Sequence, residues 1–184
     1  MNHGQTCHRW GSAASDDEDL GFALATCLDQ VKHQLGGATA THIFCFVSNE
    51  YAEGFPELVE VLRGAFPEAC LLGCSGSGVI GGGEEFDVSG GLSITVASLP
   101  GVQTTPIHRP PSDEDHPLTK QDLVEALGED LDSAVGMILL PDPFSFNPMP
   151  LLDASSTFFP ELPVVGGLAG GGAGPGENTL FLND

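Results

Sequence analysis

The sequence predicts an α/β fold, a mixed β-sheet built from two similar α-β-α-β-β units with flanking helices. Three observations lead there. Residues 42–75 lie over residues 135–168 at a constant offset of 93 without a gap, so that Phe66-Pro67-Glu68 matches Phe159-Pro160-Glu161 and Gly73 matches Gly166. Helix-period segments alternate with short apolar runs along the chain. Each second apolar run opens into a glycine-rich stretch, Gly73–Gly83 in one copy and Gly166–Gly176 in the other. Two copies are too few for a solenoid, which needs several stacked repeats. Stacked with pseudo-symmetry, they would put both glycine-rich stretches at equivalent ends, with a crevice between them as the place for a ligand.

Residues 1–14 read as an irregular lead-in. Ser15-Asp16-Asp17-Glu18 has the form of a capping box, with Ser15 as N-cap. Leu20, Leu24, Cys27, Val31 and Leu35 continue at helical spacing to a stop at Gly36-Gly37. His42–Val47 is a buried strand, and Ser48–Gly54 turns the chain. Pro56 fits the start of a helix carrying Leu58, Val59, Leu62 and Phe66, because its missing N–H costs nothing there. Ala69–Gly73 is the next strand, Gly73–Gly83 a glycine loop, and Gly91–Leu99 a third strand. This first unit covers 15–101. Residues 102–118, with Pro106, Pro110, Pro111, Pro117 and the acids Asp113-Glu114-Asp115, form a linker.

The second unit covers 119–184. Thr119 and Asp122 give a capping signal, and Leu123, Leu127 and Leu131 follow at a spacing of four. Val135–Leu140 repeats the first strand, 147–159 the helix, Pro163–Gly166 the second strand and Leu168–Gly176 the glycine loop. Asn147 caps the helix with Pro148 at its first position. Asn178–Leu182 begins the counterpart of the third strand. The chain stops inside it, so the second unit is expected to be truncated.

Bulk composition excludes several function classes. The chain has 184 residues, 41% of them hydrophobic, enough for a real core. Five basic residues face 26 acidic ones, a formal charge of −21. Such a surface repels phosphate, which sets aside nucleic acid and anionic membranes as partners. It leaves a solubilising acidic surface or a basic protein partner. Five cysteines, an odd number without a CxxC pair, fit reduced thiols inside the cell rather than a disulfide framework. The N-terminus has no apolar signal region, and no apolar run reaches the roughly 20 residues of a membrane helix. A cytoplasmic protein is expected.

Among the motifs, Gly76–Gly81 matches G-x-G-x-x-G. The fingerprint needs a helix at the loop to face pyrophosphate. Here Gly82-Gly83-Glu84-Glu85 follows, a poor helix start whose carboxylates oppose phosphate, so no dinucleotide is expected. Cys74 and Ser75 sit at a strand-to-loop junction, but the nucleophile elbow is not met. A Cys–His enzyme would need His42 or His108 brought to Cys74. The matching position is Gly167, which favours a small residue at a sharp turn. The six histidines show no metal spacing, and Asp113–His116 lacks the ordered ligands of a calcium loop. Asp142-Pro143-Phe144-Ser145-Phe146-Asn147-Pro148 is more specific. Two prolines stiffen the turn, and an aromatic wall with Asp142 or Ser145 as polar anchor would suit a pocket.

Four segments together resemble the FIST N domain, the N-terminal half of the sensory FIST module. They are Leu72–Gly83, Ala97–Gly101, Asp142–Phe146 and Pro163–Ala169, and the likeness covers roughly 10–184. The resemblance implies a small-ligand sensor for compounds such as amino acids, found in bacterial signalling proteins and in F-box proteins. It implies a following FIST C domain, which this sequence does not contain, and supplies no catalytic residues.

The expected function is therefore ligand sensing in signal transduction, without catalysis, metal or cofactor. Output would pass to a protein signalling partner or a FIST C domain. The ligand-contacting candidates are Gly73, Cys74, Ser75, Gly76, Ser77, Gly78, Asp142, Phe144, Ser145, Gly166 and Gly167. Glycine turns let backbone N–H groups approach a ligand closely, including its carboxylate. The rival functions are an interaction module whose acidic face docks a basic partner, and an enzyme using Cys74.

Overall fold

The computed structural model describes residues 7–87, 90–109, 116–128, 131 and 133–183. Among these residues it is an α/β structure with four α-helices, a short 3-10 helix at Asn49–Gly54 and a mixed five-stranded sheet. In chain order the elements are β1 (Arg9–Ser15), α1 (Leu20–Leu35), β2 (His42–Ser48), α2 (Phe55–Ala65), β3 (Cys70–Gly76), β4 (Val79–Gly81) and β5 (Glu84–Phe86). Then come β6 (Leu92–Ser98), α3 (Lys120–Leu127), β7 (Met137–Leu139), α4 (Met149–Phe158), β8 (Val164–Gly166) and β9 (Leu180–Leu182).

The five-stranded sheet runs β1-β6-β2-β3-β9, with β2 and β3 parallel and the other pairs antiparallel. Its inner face carries Ala13, Ile94, Ile43, Cys45, Leu71 and Phe181, packed under α1 and α2 in the main core. α1 starts at Asp19, whose carboxylate accepts from the Phe22 N–H at 3.0 Å, and ends at Gly36 with φ 59°. β7 and β8 form a separate parallel pair. Met137 and Leu139 pack there with α3 and α4 around Leu123, Leu151 and Phe159. The capping box of α3 is present as read, with Thr119 and Asp122 bonding reciprocally.

Three expectations are corrected. Residues 9–14 are not an irregular lead-in but most of β1, paired along β6. The N-cap of α1 is Asp19 and not Ser15, because the chain is still in β1 at Ser15. Gly73–Gly83 is not one loop. β3 runs through to Gly76, and β4 and β5 form a hairpin turning at Gly82-Gly83, φ 59° and 91°, a turn that favours glycine twice. The acidic run Asp113–Asp115, with Pro110 and Pro111, lies outside the described residues.

Gly73 and Gly166 make the same close approach to the neighbouring strand, although only Gly166 has a positive φ, 153°. A Cβ on Gly73 would overlap the Cys45 carbonyl oxygen, and one on Gly166 would overlap that of Leu139. A constant offset of 93 places Ile138 opposite Gly166, whereas the register gives Leu139. α2 and α4 close alike, on Phe66 (φ −140°, ψ 69°) and Phe159 (φ −134°, ψ 60°).

Candidate functional site

In open α/β sheets, ligands sit beyond the carboxyl ends of parallel strands. Here β2 ends at Ser48, just before Asn49, and β3 at Gly76, and the segment after β8 returns to them. Ser75, buried in β3, donates its hydroxyl to the Gly170 carbonyl at 2.9 Å. The Gly170 N–H donates to the Ser75 carbonyl at 3.0 Å. On the other side, Ser75 N–H donates to the Thr179 carbonyl at 2.8 Å, and its hydroxyl oxygen accepts from Thr179 N–H at 3.0 Å. One serine thus stitches the strand end to both flanks of the 170–179 loop.

Asp142 joins the same network. Asn178 donates through Nδ2 to the Asp142 carboxylate at 2.9 Å and accepts through Oδ1 from Gly172 N–H at 2.9 Å. Phe144 N–H also donates to Asp142, at 3.3 Å, and the Ser145 side chain bonds it as well. Burial works against the charge of Asp142, but these hydrogen bonds outweigh it and hold the carboxyl below its ordinary value. A depressed folded-state value adds stability above the unfolded value, near 4, which is lost as pH falls through the folded value. Above about pH 5, Asp142→Asn should melt lower than the parent by a constant margin. That margin should shrink below about pH 4, as read by melting curves from pH 3 to 7. A margin independent of pH would show that the charge of Asp142 does not support the fold.

Asn49 completes the junction. Its Oδ1 is buried and has no hydrogen-bond donor among the described residues. The backbone of Gly171 lies against it: a Cβ on Gly171 would fall 2.6 Å from the Asn49 Cβ and 2.6 Å from the Gly76 carbonyl oxygen. An orphaned buried acceptor costs about 1–3 kcal/mol, so this position calls for a donor.

The structure therefore brings Ser75 and Asp142 into one network, with Gly76 beside Gly171 and with Phe144 and Ser145 around the Asp142 carboxylate. Gly73 and Cys74 are buried within β3, and Gly73 serves the close approach to β2. Ser77 and Gly78 form an exposed turn before β4, and Phe144 is exposed. Gly166 ends β8 and Gly167 follows it, both exposed. The sequence reading missed Asn49, Gly170–Gly172, Asn178 and Thr179. The roles of Asn49 and Asn178 rest on contacts with residues far away in sequence, and only the six-residue spacing of Gly172 and Asn178 is local. The two glycine-rich stretches meet through direct hydrogen bonds rather than across an open crevice. An open cleft of about 370 Å3 lies at the amino ends of β2 and β3, lined by Lys32, Leu35, Ala40, Phe66 and Glu68.

The G-x-G-x-x-G match runs into the β4–β5 hairpin and not into a helix. Among the described residues no three His, Cys, Asp or Glu side chains group as a metal site. Among the same residues no helix is long and apolar enough to cross a membrane.

No solved structure matches the chain. Two uncharacterized proteins of Mycobacterium tuberculosis, from strains CDC 1551 / Oshkosh and ATCC 25618 / H37Rv, are each 25% identical over 173 residues. The match takes in 94% of this chain but 44% of each relative, so the chain spans less than half the length of these curated relatives. The family model of the FIST N domain matches residues 41–184, and the chain belongs to that family of sensory modules in signal transduction.

Proposed function

We propose that this chain senses a small ligand without chemical turnover, and that the ligand is an amino acid or a related amine-bearing metabolite held at the Asn49–Ser75–Asp142 junction. The observation that carries this is the buried Asn49 Oδ1 without a donor where both glycine-rich stretches meet. The atom is buried while the clasp is closed, so a ligand ammonium group would supply that donor when the 170–179 loop parts from β3. The hydrogen-bonded carboxylate of Asp142 adds negative charge to the same network. Binding would tighten the clasp between β3 and the 170–179 loop. The two strand–helix–strand segments act as copies of one unit, and the signal passes to a partner polypeptide. The five unpaired cysteines suit a cytoplasmic setting.

Cys74 supports the non-catalytic reading. Burial pushes its thiol up to about 11, whereas a catalytic thiolate needs a lowered value. Cys27 is likewise pushed up to about 11, and Cys45 is raised further by burial and by its neighbours Cys27 and Cys74. At pH 8 the native protein should react rapidly with a disulfide reagent at exposed Cys7. Cys27, Cys45 and Cys74 should react only after denaturation. Rapid labelling of Cys74 in the native state, identified by peptide mapping, would return the enzyme reading to consideration.

A thermal-shift screen of amino acids and related amines tests the sensing proposal. Ligand at about 100 times its Kd stabilises by about 2.7 kcal/mol. The shift should vanish in Asn49→Ala while the unliganded variant still folds. Absence of any shift at millimolar ligand, or a shift that survives Asn49→Ala, overturns the assignment.

A further inference from the structure

All-parallel sheets have both faces covered, whereas antiparallel strands can leave one polar face to solvent. This sheet joins one parallel pair, β2–β3, to three antiparallel pairings, so a large face on it calls for a covering layer only where its side chains are apolar. Here α1 and α2 cover one face of the five-stranded sheet. The opposite face carries Trp10, Phe44, Phe46, Leu72 and Leu182, in register across β1, β2, β3 and β9. Trp10 is 54% exposed, and its ring stacks with Phe44 at 6.3 Å. The β4–β5 hairpin folds over one end, where Ser93 Oγ donates to the Ile80 carbonyl and Gly82 N–H reaches Ser12 Oγ. At the other end Thr104 meets His42 at 2.7 Å. Between these two straps, among the described residues, Trp10 is exposed and Phe44, Phe46, Leu72 and Leu182 are half-buried. The smaller strand pair repeats the pattern: Ile138 and Val165, paired in register, are exposed opposite the α3–α4 core.

Charge identifies the occupant. Of the five basic residues, Lys32, Arg63 and Lys120 lie on α1, α2 and α3, and Arg9 is bonded to the Leu35 carbonyl at the end of α1. Arg109 stands at the far end of the 102–109 segment, where it has a partner of its own. No lysine or arginine of the sheet strands points outward with Trp10 and Phe44, and the histidine on that face, His42, is buried and stacked on Phe44. The hairpin strapping the face carries exposed Glu84 and Glu85. A second copy would bring −21 against −21. We infer that the open aromatic face between the β4–β5 hairpin and the 102–109 segment docks a partner polypeptide whose apolar stripe is flanked by lysine and arginine.

Trp10 is the single tryptophan of the chain and reports on the face directly. The chain is titrated with a synthetic amphipathic helix of leucine and lysine, and with a matched helix of leucine and glutamate. The leucine–lysine peptide should blue-shift Trp10 emission and shield it from acrylamide, and the leucine–glutamate peptide should do neither. With labelled peptide read by anisotropy, Trp10→Ser should weaken binding at least roughly ten-fold, about 1.4 kcal/mol. Phe22→Ser, at an exposed apolar residue on α1, should leave binding unchanged. Melting curves verify that both variants fold. Equal weakening by the two variants, equal binding of both peptides, or bound peptide with unshifted Trp10 each overturns the inference. So does a dimer in sedimentation equilibrium that Trp10→Ser abolishes, which assigns the face to a second copy.

Discussion

Gly73→Ala should lower the melting temperature by roughly 6–12 °C, from a cost of about 3 kcal/mol at 2–4 °C per kcal/mol for a chain of this size. The reason is backbone, not side chain. Gly73 faces Cys45 across the parallel β2–β3 ladder, and an added Cβ would overlap the Cys45 carbonyl oxygen. Neither strand has room to retreat, because β2 is held by β6 on its far side and β3 by β9. Gly166→Ala creates the same overlap with Leu139, but β7 and β8 are paired only with each other among the described residues. That pair can splay, so the expected cost is smaller, about 1–2 kcal/mol. Circular-dichroism melts of both variants make the comparison. Equal losses would mean that the small strand pair is held as firmly as the central one. A neutral Gly73→Ala would remove the steric account of that glycine.

The same two glycines show what was legible in the sequence. Helix and strand order followed from periodicity, because α1, α2 and α4 each bury one stripe while β2 and β6 are short apolar runs. The class of fold and most element positions were thus readable. β1 was not, because Gly11, Ser12, Ala13 and Ala14 lack the large alternating side chains that mark a strand. Their small size suits the space under α1, where Ala13 is fully buried. The hairpin β4–β5 was hidden for a related reason. Glycines at 76, 78, 81, 82 and 83 read as a loop, while two of them serve a tight turn and others allow close backbone packing.

The candidate site divided along similar lines. Ser75, Gly76 and Asp142 were identifiable because polar or glycine residues at a strand end are a local signal. Asn49 and Asn178 were not, because their roles depend on contacts with residues more than 30 positions away. Asn178 reaches Asp142, and Asn49 meets Gly171. The expected crevice became a hydrogen-bonded clasp for the same non-local reason: glycines that would leave room for a guest equally leave room for each other.

Phe181→Ala should cost about 3–5 kcal/mol, the usual range for removing a buried phenylalanine, or roughly 6–20 °C in melting temperature. Phe181 is the one residue of β9 that faces the core, where it meets Phe55 edge-on at 5.4 Å. Its neighbours Leu180 and Leu182 lie on the opposite face of the sheet and are partly exposed. β9 has three residues, so its ladder to β3 alone is a weak tether. Releasing it withdraws Thr179 from Ser75 and Asn178 from Asp142, which dissolves the clasp at a distance from the substitution. Hydrogen exchange should therefore show early loss of protection at the Ser75 and Gly172 amides, and any ligand-induced thermal shift should disappear. Phe181→Leu keeps an apolar side chain in the same hole, so it should retain both the clasp and the ligand response at a smaller cost in stability. If Phe181→Ala melts lower yet keeps the Ser75 and Gly172 amides protected, the junction is held by its own hydrogen bonds. β9 would then have no part in coupling the core to the ligand seat.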